Sequence, residues 1–332
     1  MKPGSSILAP MVDITDHPGF LHACKRRGCD IIVLPMMFLE GVSANPAYIG
    51  KKLDILLDNE QGFDFRPIIV QLIGNDLGVV KDVITTLDSY DIQGLNLNMG
   101  CPSGRIKMLG LGASILERPA QRDALIDAVL KHASRPVSIK MRLFGKEAPD
   151  VTTTIQFCRG LQDKQVDWVA IHGRTGRQGY KGPASWDVIK AVKEATTLFI
   201  VGNGDITSVT DGKKRVDEGC CDAFMIGRAA LKDPRVFLTT YDPALPKTMA
   251  DARRLFDDIM AFVVENKHRG LDHLLTPHEI RKWALSLSFN IIGGKRLRDQ
   301  AMKRGTIEDI AALFNDKGHD DRFGRDNRND RD

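Results

Sequence analysis

Gly94-Leu95-Asn96-Leu97-Asn98-Met99-Gly100-Cys101-Pro102 alternates apolar and polar residues, turns on Gly100 and delivers a thiol just before a proline. Alternation of this kind marks a buried strand, and Gly and Pro on either side of Cys101 mark a rigid loop. A cysteine framed in this way is a candidate for chemistry. The bland alternative is a packing cysteine.

Working outward, seven further apolar runs end the same way, in polar or glycine residues. They are Ile7–Ala9, Ile31–Leu34, Pro67–Leu72, Pro136–Arg142, Trp168–His172, Leu198–Gly202 and Ala223–Ile226. Between them fall helical periods at Leu77–Leu87, Pro119–His132, Thr152–Leu161, Ser185–Ala195 and Ser208–Glu218, with Thr15-Asp16 and Ser185 as expected N-caps. Eight strands alternating with helices over about 230 residues predict an α/β fold, a (β/α)8 TIM barrel. The open doubly wound sheet is the alternative. It is disfavoured because no G-x-G-x-x-G follows the first strand.

After Pro234 the pattern changes. Pro243 and Pro246 mark a boundary, and Ala252–Asn266 and Pro277–Phe289 have helical periods. A Gly293-Gly294 turn and a basic helix follow. The expected organisation is a barrel over 1–242, a small C-terminal helical domain over 243–315, and a charged, disordered tail over 316–332.

The chain has 332 residues, 42% hydrophobic and 27% charged, with a net charge of +4. These values fit a globular protein with a mild preference for anionic partners. No run is long enough to span a bilayer, and no signal-peptide segment opens the chain, so a cytoplasmic location is expected. None of the six cysteines forms a C-x-x-C pair. No metal site is therefore expected, and the thiols should be reduced.

In such barrels chemistry gathers at the carboxyl ends of the strands. Read in order, those ends supply Pro10-Met11, Gln71, Asn98 with Cys101, Lys140 with Arg142, His172 with Arg174, Asn203-Gly204-Asp205 and Gly227-Arg228. The last two segments fit a phosphate site, with glycines admitting main-chain N–H groups and Arg228 adding donors. A pair of plain tight turns is the alternative. Lys140 stands between Ile139 and Met141, so it points away from both and into the barrel, where an anion must meet it. His172 is either part of this site or a core histidine.

Taken together, these segments resemble the tRNA-dihydrouridine synthases. The motifs are Ala9-Pro10-Met11 with Thr15-Asp16, Gln71-Leu72-x-Gly74, Asn96 to Pro102, Lys140-Met141-Arg142, His172-Gly173-Arg174-Thr175 with Gln178-Gly179-Tyr180, Asn203-Gly204-Asp205-Ile206, and Ile226-Gly227-Arg228. The resemblance implies an FMN-binding barrel, a helical RNA-binding domain, NADPH as electron donor and tRNA as substrate. By this resemblance Pro10, Met11, Gln71, Lys140 and His172 hold the ring and ribityl parts of FMN. Asn203, Gly204, Asp205, Gly227 and Arg228 surround its phosphate end. Cys101 is the general acid, and Asn98, Arg142, Arg174 and Tyr180 face the nucleotide. The chain departs from the family pattern at Val12-Asp13, at Leu34-Pro35-Met36 and at Asn96, a position where aspartate is common.

The implied reaction is reduction of the uracil C5–C6 double bond, with Cys101 protonating C5. A stacked uridine must be flipped out to be reached, so phosphate contacts are expected from Arg281-Lys282, Lys295-Arg296, Arg298 and Lys303-Arg304. A monomer is expected. Two rivals stand beside this reading. A dihydroorotate-type dehydrogenase leaves the basic helical appendage unexplained. A non-catalytic RNA-binding barrel predicts a colourless protein.

Overall fold

The computed structural model describes residues 1–57, 63–291 and 294–314, so the expected tail at 316–332 and the first glycine of the Gly293-Gly294 turn lie outside the described residues. The chain divides into two compact units, one of Met1–Ala230 with Pro234–Tyr241, the other of Leu231–Asp233 with the residues from Asp242 on.

In the first unit eight strands form a closed parallel sheet: β1 Ser6–Leu8, β2 Ile31–Val33, β3 Ile68–Ile73, β4 Gly94–Met99, β5 Val137–Leu143, β6 Trp168–Thr175, β7 Phe199–Asn203 and β8 Ala223–Ile226. Each pairs with its neighbours in chain order. The ring closes through Ile7↔Met225 between β1 and β8, with β2 pairing directly to β3 through Ile32↔Ile68. A short extra piece, Met37–Phe38, runs beside Leu72 and Ile73. The expected (β/α)8 barrel is therefore observed. The strands are buried on both faces, which explains why they appear in the sequence as nearly continuous apolar runs.

Side-chain alternation divides each strand between the barrel interior and the helical shell. One layer of the interior is apolar, built from Ile7, Ile31, Val33, Ile69, Trp168, Ala170, Val201, Ala223 and Met225. Continuing the same alternation toward the carboxyl ends, β3 presents Gln71, β4 Asn96 and Asn98, β5 Ser138, Lys140 and Arg142, β6 His172, and β7 Asn203. The apolar layer thus gives way to a polar arc on β3 to β7.

Two expected caps differ. Thr15 does not cap the first helix: its hydroxyl accepts from Met11 N–H at 2.8 Å, tying down the loop after β1. The cap of Pro18–Lys25 is His17, whose Nδ1 accepts from Phe20 N–H. Ser185 precedes helix Trp186–Ala195 but makes no side-chain cap. Its N–H instead donates to Gly173 O. Ser208 caps Val209–Asp217 by accepting from Asp211 N–H.

The second unit is helical over its described residues. Met249–Glu265 opens with a Thr248–Asp251 capping box. Pro277–Leu287, Gly294–Ala301 and Ile307–Ala312 follow. Leu255, Ile259, Trp283, Leu287 and Leu297 are buried in this unit.

Candidate active site

Cys101 is half-buried, whereas Cys24, Cys29, Cys158, Cys220 and Cys221 are all buried. Burial pushes the thiols of Cys29, Cys158 and Cys221 up to about 12, which leaves them inert packing groups. Cys101 is held in place by its own loop. Asn98 Oδ1 accepts the N–H groups of Gly100 and Cys101 at 3.1 and 3.0 Å. Cys101 O accepts from Ala113 N–H at 3.0 Å. Gly112 makes this return possible. At φ +60° it adopts the left-handed region, and a Cβ there would lie 2.6 Å from Cys101 O.

Arg142 ties this loop to the next but one. Its Nε donates to Gly100 O at 2.9 Å, and its Nη1 donates to Thr175 O at 3.0 Å and Gly179 O at 2.6 Å. The side chain is 3% exposed. Its Nε and Nη1 are engaged with main-chain carbonyls. Arg174 is similar, with Nε and Nη2 on Gly182 O and Nη2 also shared between the two carboxylate oxygens of Asp205. Asp205 adopts φ +57° and is held there by Arg174, by Ala184 N–H and by Arg228 Nη2 at 3.2 Å. These bonds keep its carboxyl below the usual range despite partial burial, which acts in the opposite direction.

Lys140 faces inward as its place in the strand predicted. Its Nζ donates to Asn203 Oδ1 at 3.1 Å, and Asn203 Nδ2 donates to Met225 O. Burial, with Arg142 nearby, lowers its pKa to about 8. His172 is buried on the adjoining strand. Burial and the surrounding cations push it down to about 2, so it remains neutral. Gly204, at φ +124°, packs so closely that a Cβ would lie 2.7 Å from Ala184 Cβ and 3.8 Å from His172 Nε2. Gly227 lies beside Ala9 and Met11. Tyr180 is 57% exposed, with Arg228 4.5 Å and Arg142 5.4 Å from its ring centre.

The barrel mouth therefore brings together Met11, Gln71, Asn98, Cys101, Lys140, Arg142, His172, Arg174, Tyr180, Asn203, Gly204, Asp205, Gly227 and Arg228, with Pro10 beside Met11. Two buried nitrogens there, His172 Nδ1 and Arg174 Nη1, have no hydrogen-bond partner among the described residues. Lys140 forms no ion pair among the described residues. Orphaned buried nitrogens and cations outnumbering the one carboxylate, Asp205, are what a bound anionic cofactor would satisfy. The donor set suits an anionic cofactor such as a flavin nucleotide. Among the described residues no cluster could hold a metal ion, and no helix is long and apolar enough to cross a membrane.

The sequence reading missed Ser138 and Met36. Ser138 joins Asn96 beneath the site, and Met36 Sδ lies 3.5 Å from Asn98 Nδ2. Ser138, Lys140 and Arg142 alternate with Val137, Ile139 and Met141, a signal that could have identified the serine. Lys295, Arg296 and Arg298 belong to the second unit. Arg298 Nη1 donates to Ser288 O, and its guanidinium lies 4.5 Å from the Phe289 ring centre. Arg281 closes the end of Gly294–Ala301 through Ala301 O and Arg304 O.

A closed parallel barrel with a cation-rich mouth and one accessible thiol defines the class. Residues 7–304 match the family model described as dihydrouridine synthase (Dus). The chain belongs to the dihydrouridine synthase family. It is 33% identical over 234 residues to tRNA-dihydrouridine synthase B of Vibrio parahaemolyticus, covering 70% of this chain and 69% of that protein. It is 32% identical over 240 residues to a probable tRNA-dihydrouridine synthase of Aquifex aeolicus, covering 71% and 72%. Among solved structures, a morphinone reductase mutant in complex with tetrahydroNAD aligns with a TM-score of 0.51 at 11% identity, over 70% of this chain and 85% of that one. That similarity concerns the fold.

Proposed function

We propose that this chain is a tRNA-dihydrouridine synthase that uses FMN and NADPH to reduce the C5–C6 double bond of uridines in tRNA. The observation that carries the reading is Cys101, the one half-buried cysteine, pinned by Asn98 at the end of β4 next to the strand that carries Lys140. When bound and reduced by NADPH, FMN supplies hydride to uracil C6.

The chain's own residues do the rest. Lys140 would offer a positive charge to the reduced, anionic ring, and a charge in a partly dry site acts more strongly than in water. Arg174 Nη1 is a spare donor for the cofactor, and His172 Nδ1, on a neutral ring, donates or accepts according to its tautomer. Pro10, Met11 and Gln71 bound the ring, while Asn203, Gly204, Asp205, Gly227 and Arg228 close around the phosphate end. Cys101 gives its proton to C5 as charge builds there. Arg142 fixes the position of the Cys101 loop, and Tyr180 offers an exposed ring to the extruded base. Unstacking that base costs a few kcal/mol. Phosphate contacts from Lys295, Arg296 and Arg298 offset the cost.

The test is direct. Purified protein is incubated with NADPH and tRNA lacking dihydrouridine, and nucleosides are analysed by mass spectrometry. Dihydrouridine is expected. A flavin-loaded preparation that oxidises NADPH but leaves uridine intact would overturn the proposal. Dihydroorotate in place of tRNA serves as the control substrate and is expected to give no turnover.

A further inference from the structure

Gln71, Asn96 and Ser138 are register partners on β3, β4 and β5, forming one rung across three strands. They are 1%, 0% and 0% exposed. With Asn98 above them, their side chains form a continuous hydrogen-bonded chain that ends on main-chain groups at both extremities. At the foot, Ser138 Oγ donates to Leu95 O at 2.9 Å. A carbonyl can only accept, so the serine oxygen is left to accept from Asn96 Nδ2 at 2.9 Å. Asn96 Oδ1 then accepts from Gln71 Nε2 at 2.7 Å, and Gln71 Oε1 accepts from Asn98 Nδ2 at 2.8 Å. Asn98 Oδ1 is thereby turned toward the loop, where it accepts from Gly100 and Cys101.

Those two N–H groups can only donate, so the upper end demands the same polarity as the lower end. An amide's oxygen and nitrogen are otherwise near equivalent in shape, and only partners distinguish them. Here no amide can turn over without setting two donors or two acceptors face to face, and for the buried Gln71 and Asn96 such a mismatch is costly.

We propose that this oriented chain, together with the bonds of Arg142 and Ala113 to the loop, positions the thiol. Ser138 and Asn96 act as positioning residues: from the barrel floor they set which end of Asn98 faces the loop, and so where Cys101 sits. Neither reaches the mouth itself. The inference rests on the proposed function only where catalysis is the readout.

The test compares Ser138→Ala with the parent protein. Two readouts are used: the pH profile of iodoacetamide alkylation at Cys101, located by peptide mass spectrometry, and steady-state kinetics on tRNA. Removing the hydroxyl orphans Asn96 Nδ2 and frees the amides to reorient. The alkylation rate is expected to change about threefold or more. The turnover number is expected to fall about tenfold with KM for tRNA unchanged.

A changed alkylation profile with normal turnover leaves the positioning chain standing and removes Cys101 as proton donor. Unchanged alkylation overturns the inference, whatever happens to turnover or melting temperature. Should Ser138→Ala fail to fold, the near-isosteric Asn96→Leu decides. It removes both ends of the amide and leaves Gln71 Nε2 without its acceptor, so alkylation at Cys101 is expected to change about threefold or more and the turnover number to fall about tenfold at unchanged KM. Unchanged alkylation in that variant would overturn the inference.

Discussion

The barrel mouth and the helical unit both carry basic residues and use them in opposite ways. At the mouth, Arg142 and Arg174 are buried, with donors engaged by carbonyls and a carboxylate. Lys140 is held by Asn203. In the helical unit Lys295, Arg296, Lys303 and Arg304 are exposed. The first arrangement places groups accurately at the cost of desolvating charge. The second leaves charge hydrated, where it attracts a polyanion without fixing its position. A protein acting on one base of a large charged substrate needs both.

The largest test of this contrast is Cys101→Ala, which removes what the mouth is built to place. Bound flavin and NADPH oxidation should survive, while dihydrouridine formation falls about a hundredfold or more, read by nucleoside mass spectrometry. Retained product formation would make the contrast irrelevant to catalysis.

Next in size is Arg142→Met. It leaves three carbonyls without their donor and is expected to cost about 3 kcal/mol of stability, measured by urea denaturation. A neutral result would mean that the buried cations of the mouth are no more structural than surface ones.

Lys140 gives a pH test. With its pKa lowered to about 8, it is protonated below that pH and neutral above. A ligand that needs the cation meets no penalty below about pH 8. Above it the dissociation constant for reduced FMN, whose ring is anionic, should rise about tenfold per pH unit, by linkage between protonation and binding. Lys140→Met should bind more weakly and lose this break. No break near pH 6 is expected from His172, which burial holds neutral.

The smallest effect belongs to the helical unit. Lys295→Ala with Arg296→Ala should leave stability unchanged and raise KM for tRNA several-fold. It should also lower the slope of log affinity against log salt by about 1–2. A loss of stability instead would assign these residues to the same structural role as Arg142.

Much of this was legible before the fold was known. The strands of a parallel barrel are buried on both faces, so each is a near-continuous apolar run, and their polar ends follow directly. Alternation alone turned Lys140 inward. The capping roles of Thr15 and Ser185 were not legible, because a hydroxyl beside a helix start can equally serve a neighbouring loop, as Thr15 serves Met11. Nor was the engagement of Arg142 with Gly100, Thr175 and Gly179, or of Arg281 with a helix end. Those partners lie 20 to 42 residues away in sequence.

By itself the sequence determined the barrel and the identity of the groups at its mouth. Those depend on period and on residue type, both local properties of the chain. Only the tertiary structure decided which of those groups are free to meet a ligand and which are engaged by the protein. It also revealed that Ser138 and Asn96, buried beneath the mouth, are linked to the thiol. Hydrogen-bond direction is a property of a closed network, and the network closes only when β3, β4 and β5 lie side by side.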